Sequence, residues 1–341
     1  MAAKDKWARR GTRPVALIAF GGNALIPEDS EGTQANQLEE AGRLAVVVGD
    51  LLEDHRLLLV HGNGPQVGHL LIQVDAARGQ VPPWSLDASV GATQGIIGYL
   101  LEIAIRERLE RLECPDQVST LMTLVEVDAG DPAFERPTKP IGPFYPTFRA
   151  EELQQQRGWE MVRQDVRGWR QVVPSPRPQH IHGSEAIRSL LDQGHVVIAG
   201  GGGGIPVVRD ATGSLCGVDA VIDKDHTAAM LGDVVGADLL VILTGVDQVQ
   251  RDFGTDRAVG IDRLTPAEAR KLLDEGHFPP GSMGPKIESA MAVVERSGRP
   301  VVITSVKCLP EALRGRGGTW IVAAPRDEER GRGKRQEEKS R

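Results

Sequence analysis

Five consecutive glycines, Gly200 to Gly204, stand between the apolar runs Val196–Ala199 and Ile205–Val208. Glycine loses more backbone freedom on ordering than any other residue. A folded chain therefore keeps such a run where the backbone must turn tightly or approach a ligand. Val196–Ala199 reads as a buried strand, and the glycines then form a loop at its end, with N–H groups free to face an anion. Next comes Asp223-Lys224-Asp225, one cation framed by two anions. The competing reading is a flexible linker followed by a solvated charge run. Linkers of that kind are polar on both sides, whereas VVIA and IPVV flank this one. The combination points to a site that handles phosphate.

The same order of strand and glycine loop recurs. Pro14–Phe20 is apolar throughout, as in a central parallel strand, and ends in Gly21-Gly22-Asn23. Helical spacing follows over Gln34–Glu53. A second buried strand, Arg56–Val60, ends in His61-Gly62-Asn63-Gly64-Pro65, with Pro65 suited to the first turn of a helix running to about Arg78. Ser85–Arg111 reads as one or two helices whose Gly91, Gly95 and Gly98 form a small-residue face, able to pack on the body or on a second subunit. Gln117–Val127 reads as one strand, and Ser184–Gly194 as a helix capped by Ser184. Ala237–Thr244 is a further buried strand, and Pro300–Ser305 and Thr319–Ala323 are the last ones. Lys286 falls in the first turn of a helix that ends near Ser297, where a cation opposes the macrodipole unless an anion binds there. This alternation predicts an α/β fold with a largely parallel sheet. Ligands in such folds lie beyond the carboxyl ends of the strands.

Lysine usage sharpens the site. Only nine of the 40 basic residues are lysine, and between Pro14 and Ala324 there are five: Lys139, Lys224, Lys271, Lys286 and Lys307. A chain that otherwise uses arginine keeps lysine where a compact ammonium is needed. Lys271 reads as solvated. Lys139 opens a stretch, residues 131–178, that is rich in proline and carries Phe134, Phe144, Tyr145, Phe148, Trp159 and Trp169. That stretch reads as an inserted subdomain, a lid; Lys139 itself fits a surface loop or a functional role equally well.

The 341 residues carry a net charge of −7 with 4% aromatics, which excludes a basic footprint or stacking surface for nucleic acid. No stretch of about 18 apolar residues suggests a membrane helix. Cys114, Cys216 and Cys308 show neither pairing nor metal spacing, as expected of a cytoplasmic protein, and Cys216 is expected to pack among small residues. Residues 1–13 and 326–341 read as a disordered leader and tail around one domain, 14–325. A P-loop pattern and a nucleophile elbow are absent, and Gly62, Gly64 and Gly68 miss the dinucleotide fingerprint by one residue. What remains is positioning plus positive charge, which is what phosphoryl transfer needs.

The stretches ALIAFGGNAL, HGNGPQVG, ATQGIIGY, PTKPIGPF, GWRQVVPSPRP, GGGGGIPV, DAVIDKD and PGSMGPK occur in this order. On these motifs residues 14 to 324 resemble the carbamate kinases of the amino-acid kinase superfamily. The resemblance implies a three-layer α/β/α sandwich around a mainly parallel eight-stranded sheet, a protruding lid subdomain and a homodimer. It implies reversible phosphoryl transfer between ATP and carbamate, giving ADP and carbamoyl phosphate, often to make ATP in arginine breakdown. Mg²⁺ would arrive on the nucleotide, with no metal held by the protein itself. Carried over by position, Lys139, Lys224, Asp225 and Lys286 would be catalytic, with Asp225 organising the lysines. Gly21, Gly22, Asn23, Gly62, Asn63 and Gly64 would hold substrate. Gly201, Gly202, Asp223, Lys224, Thr244, Val246, Met283, Gly284 and Lys286 would hold nucleotide. Gly245 and Gln250 depart from the family, where many members carry an aspartate and a tyrosine. Two other readings stay open, a relative that phosphorylates another small carboxylate and a silent sensor of carbamoyl phosphate or nucleotide.

Overall fold

The strand Val15–Phe20 is buried at every position, and its residues divide by parity between two cores. Val15, Leu17 and Ala19 enter one apolar cluster, whereas Ala16, Ile18 and Phe20 enter another. A strand buried on both faces needs a layer of helices on each side. The structure, a computed structural model, describes residues 12–27, 30–278 and 283–324. Most of the expected leader, all of the expected tail, and Gly281 and Ser282 lie outside them.

Eight strands form the main sheet: β1 (Val15–Phe20), β2 (Arg56–His61), β3 (Gln117–Thr120), β4 (His195–Ile198), β5 (Leu239–Leu243), β6 (Arg263–Leu264), β7 (Val301–Thr304) and β8 (Thr319–Ile321). Their order is β6-β8-β7-β5-β1-β2-β4-β3. Every pairing is parallel except that of β7 with β8. The helices are α1 (Gln34–Leu51), α2 (Gly64–Ala76), α3 (Leu86–Arg111), α4 (Thr147–Arg157), α5 (Ser184–Asp192), α6 (Lys224–Val235), α7 (Pro266–Asp274), α8 (Gly284–Ser297) and α9 (Leu309–Leu313). Ile187 of α5, Leu231 of α6 and Ile287 of α8 pack on one face of the sheet. Leu44 of α1, Ile97 of α3 and Leu309 of α9 pack on the other. This is the expected α/β/α sandwich. Deleting a fully buried side chain such as Leu58 costs about 2–5 kcal/mol.

Three smaller sheets lie beyond it, one of them the two-stranded pair of residues 250–251 and 259–260. Residues 139–145, 168–173 and 161–164 form a three-stranded antiparallel sheet with α4 between its strands. Its base is anchored: Ile141 and Val173 pack with Val67 of α2 and Val90 of α3. A four-stranded sheet joins residues 215–217, 205–209, 124–127 and 178–181.

Four expectations change. Gln117–Val127 is two strands in different sheets, because the chain bends at Leu121–Thr123 to meet the glycine run. Gly183, in the left-handed region at φ 74°, caps α5, and Ser184 makes no cap bond. Cys216 is exposed on the strand 215–217. The stretch of α3 is long and apolar enough to cross a membrane, but over half of it is buried in the core.

Candidate active site

Asp223 precedes the first turn of α6, and its Oδ1 accepts from the Asp225 N–H at 2.9 Å. Aspartate is favoured there because it satisfies an open helix donor. Its other oxygen, Oδ2, accepts from Lys139 Nζ at 2.6 Å. Asp225, in the first turn of the same helix, is 2% exposed and binds two lysines. Lys224 Nζ lies 2.6 Å from Oδ1, and Lys286 Nζ, from the start of α8, lies 3.3 Å from Oδ2. Three ammonium groups thus surround two carboxylates. Burial alone would raise the carboxyl pKa values, but Lys139 and Lys224 hold Asp223 well below the ordinary range. Lys224 and Lys286 do the same for Asp225. Burial, together with repulsion from Lys224, lowers the pKa of Lys286. An incoming anion offsets that strain.

The glycine loops close around this cluster. Gly62, after β2, sits so near the start of α6 that a Cβ would come 2.9 Å from the Gly22 N and 3.3 Å from Lys224 Cδ. Gly22 in turn abuts Gln66 and Pro65 in the first turn of α2. That helix has no side-chain cap, which leaves its opening N–H groups without that partner. Gly202 and Gly203 need glycine twice over: both have positive φ, and a Cβ would strike the Asn63 side chain or the Ile222 carbonyl.

Three buried side chains hold the run. Gln94 Nε2 donates to the Gly201 carbonyl at 2.8 Å, the Gly200 N–H donates to Thr123 Oγ1 at 2.9 Å, and Thr227 Oγ1 donates to the Gly203 carbonyl at 2.7 Å. Neither Thr123 nor Thr227 announces itself in the sequence; their partners lie 77 and 24 residues away. His61 is also buried. Burial lowers its pKa to about 4, against a raising bond from Nδ1 to the Gly62 carbonyl, so the ring is neutral near pH 7.

Lys139, Asp223, Lys224, Asp225, Lys286, Gly22, Gly62 and, through Gly202, Asn63 therefore form one connected group. Asn23 is exposed beside it. Thr244 and Val246 follow β5 on the same sheet edge, where the Thr244 N–H bonds the Thr304 carbonyl at 2.8 Å rather than a member of the cluster. Met283 and Gly284 begin α8, and the Met283 carbonyl accepts from Lys286 N. A Cβ at Gly245 would meet open space, so packing does not require glycine there. Gln250 lies in a short hairpin, paired with Gly260.

An open parallel sheet with glycine loops and paired lysines at its carboxyl edge defines the class. The chain belongs to the amino acid kinase family, whose profile matches residues 14–305. It is 43% identical over 312 residues to a carbamate kinase of Clostridium perfringens, covering 90% of this chain and 99% of that one. It is likewise 43% identical over 314 residues to the carbamate kinase-like protein YahI of Escherichia coli, covering 91% and 99%. Among solved structures, the carbamate kinase from Giardia lamblia bound to AMP-PNP superposes with a TM-score of 0.85 at 34% identity, covering 92% of this chain and all of that one.

Proposed function

We infer that the protein is a carbamate kinase, transferring a phosphoryl group between ATP and carbamate. The observation that carries this reading is Asp225, buried and holding Lys224 and Lys286 at once. Its carboxylate is committed to cations, as is that of Asp223 to Lys139. An acceptor that must lose a proton needs a base; carbamate is already an anion and needs none. Its oxygen attacks the terminal phosphorus, the bond to ADP breaks, and the lysines neutralise charge on the transferring group. The donor set also fits a Mg²⁺ carried by the nucleotide phosphates, since the carboxylates of Asp223 and Asp225 are both occupied by ammonium groups.

Residues 131–178 serve as a lid in this reading, and the site residues take the roles that their positions imply. The metabolic use is synthesis of ATP from carbamoyl phosphate during arginine breakdown, in the cytoplasm, by a homodimer. The exposed Ile96, Tyr99 and Met122 on and beside α3 support a partner surface there. The test is ATP formation from ADP and carbamoyl phosphate, with Lys224→Ala as control. That variant should lose about 10²- to 10³-fold in turnover. A wild-type protein that forms no ATP overturns the reading.

A further inference from the structure

The three-stranded sheet leaves the body and rejoins it through two chain segments, and both meet the first turn of α6. At the entry, Lys139 bonds Asp223. At the exit, residues 174–178, the Arg177 guanidinium Nη1 lies 3.4 Å from His226 Nε2. The exit is stiff, because prolines at 174, 176 and 178 fix φ at every second residue. Its backbone is held at two further points. The Val221 N–H donates to the Pro174 carbonyl at 3.0 Å. The Arg177 N–H donates to Asp131 Oδ2 at 3.0 Å, which ties exit to entry.

A guanidinium has donors and no acceptor. His226 Nε2 must therefore accept from Arg177, so the ring is neutral with its proton on Nδ1. A protonated ring has no acceptor left and repels Arg177. Asp223 and Asp225 on the same helix, and Glu288 of α8, favour the proton; burial, the largest influence, and Arg177 oppose it. The balance lowers the His226 pKa from the ordinary 6.5, in keeping with a neutral ring near pH 7. Phosphoryl transfer as described above makes no use of this side chain. We propose that His226 is a positioning residue, a latch whose neutral ring holds Arg177 and thereby fixes the exit of the three-stranded sheet on the helix that carries Asp223 and Asp225. The bond is present at neutral pH and is lost as pH falls through the His226 pKa, which loosens the sheet at its hinge. The latch belongs to the unliganded protein and does not depend on which anion the site takes.

The experiment is hydrogen exchange of the full chain without ligands, read by mass spectrometry at about pH 8 and about pH 5 and divided by the intrinsic exchange rate at each pH. Residues 131–139 of the wild type should exchange about 3- to 10-fold faster at the acid end. Peptides from β1 serve as control and should keep their protection, which separates a local release from loosening of the whole fold. His226→Gln keeps an acceptor oxygen that cannot take a proton, so its acid dependence should vanish. Arg177→Met, an exposed change that removes the donor, should exchange at the fast level at both pH values. A wild type without the acid dependence, a His226→Gln variant that retains it, or an Arg177→Met variant that stays slow overturns the proposal.

Discussion

Lys139 and Asp223 meet at 2.6 Å although they are 84 residues apart, and their bond joins the three-stranded sheet to the start of α6. In the proposed reaction a phosphate-bearing ligand would compete with Asp223 for that lysine. A second tether lies at the far side, where Asp75 of α2 faces Arg149 and Arg157 of α4 at 3.6 and 3.3 Å. Hydrogen exchange across residues 131–178 is therefore expected to slow when ADP and carbamoyl phosphate bind. Lys139→Met should abolish much of that ligand-dependent protection. Equal exchange with and without ligands in the wild type would count against a moving lid.

Asp225→Asn removes the charge that places Lys224 and Lys286. Catalysis should fall about 10²- to 10³-fold at every pH, with the shape of the rate profile near neutrality kept. Activity that recovers steeply as pH rises would mean that a base had been lost, and that the acceptor carries a proton.

His61 gives stability a pH dependence of known sign. Its folded pKa, about 4, lies below the ordinary 6.5. Between those values the unfolded chain binds the proton more readily, so stability is full above 6.5 and falls as pH drops toward 4, by up to about 3 kcal/mol. His61→Asn should flatten the thermal-melting curve over that window relative to wild type. Parallel pH dependences in the two proteins would show that His61 does not titrate this way.

Gly91 and Gly98 of α3 are used inside the molecule, close against Ile205 and Thr120, whereas Gly95 has open space around it. Beside it Ile96 and Tyr99 are 48% and 55% exposed. Tyr99→Asp is expected to convert a dimer into a monomer in light scattering after size exclusion. A wild-type monomer at micromolar concentration would dispose of the homodimer.

Strands buried on both faces were plain in the sequence, because β1, Leu57–Val60 of β2 and Val196–Ala199 are unbroken apolar runs. Lysine scarcity narrowed the candidates to five, of which Lys139, Lys224 and Lys286 meet at Asp223 and Asp225. What distant segments do to each other was not legible. The bend at Leu121–Thr123 exists because Thr123 must reach Gly200, and a strand pattern of mixed residues carries no trace of it. The same holds for Asp75 with Arg157, and for Gly183 taking the cap from Ser184, where an αL glycine wins over a side-chain oxygen.

The glycine run is the part of the chain with the most freedom to lose, yet Gly200 to Gly204 are all buried and pinned by Gln94, Thr123 and Thr227. Its ordering is therefore completed during folding, driven by the core around it, and is not left for the ligand to accomplish. The Gly203 and Gly204 N–H groups are already bonded to the Gly200 and Gly201 carbonyls, so the loop most like a hinge in sequence behaves as a mould.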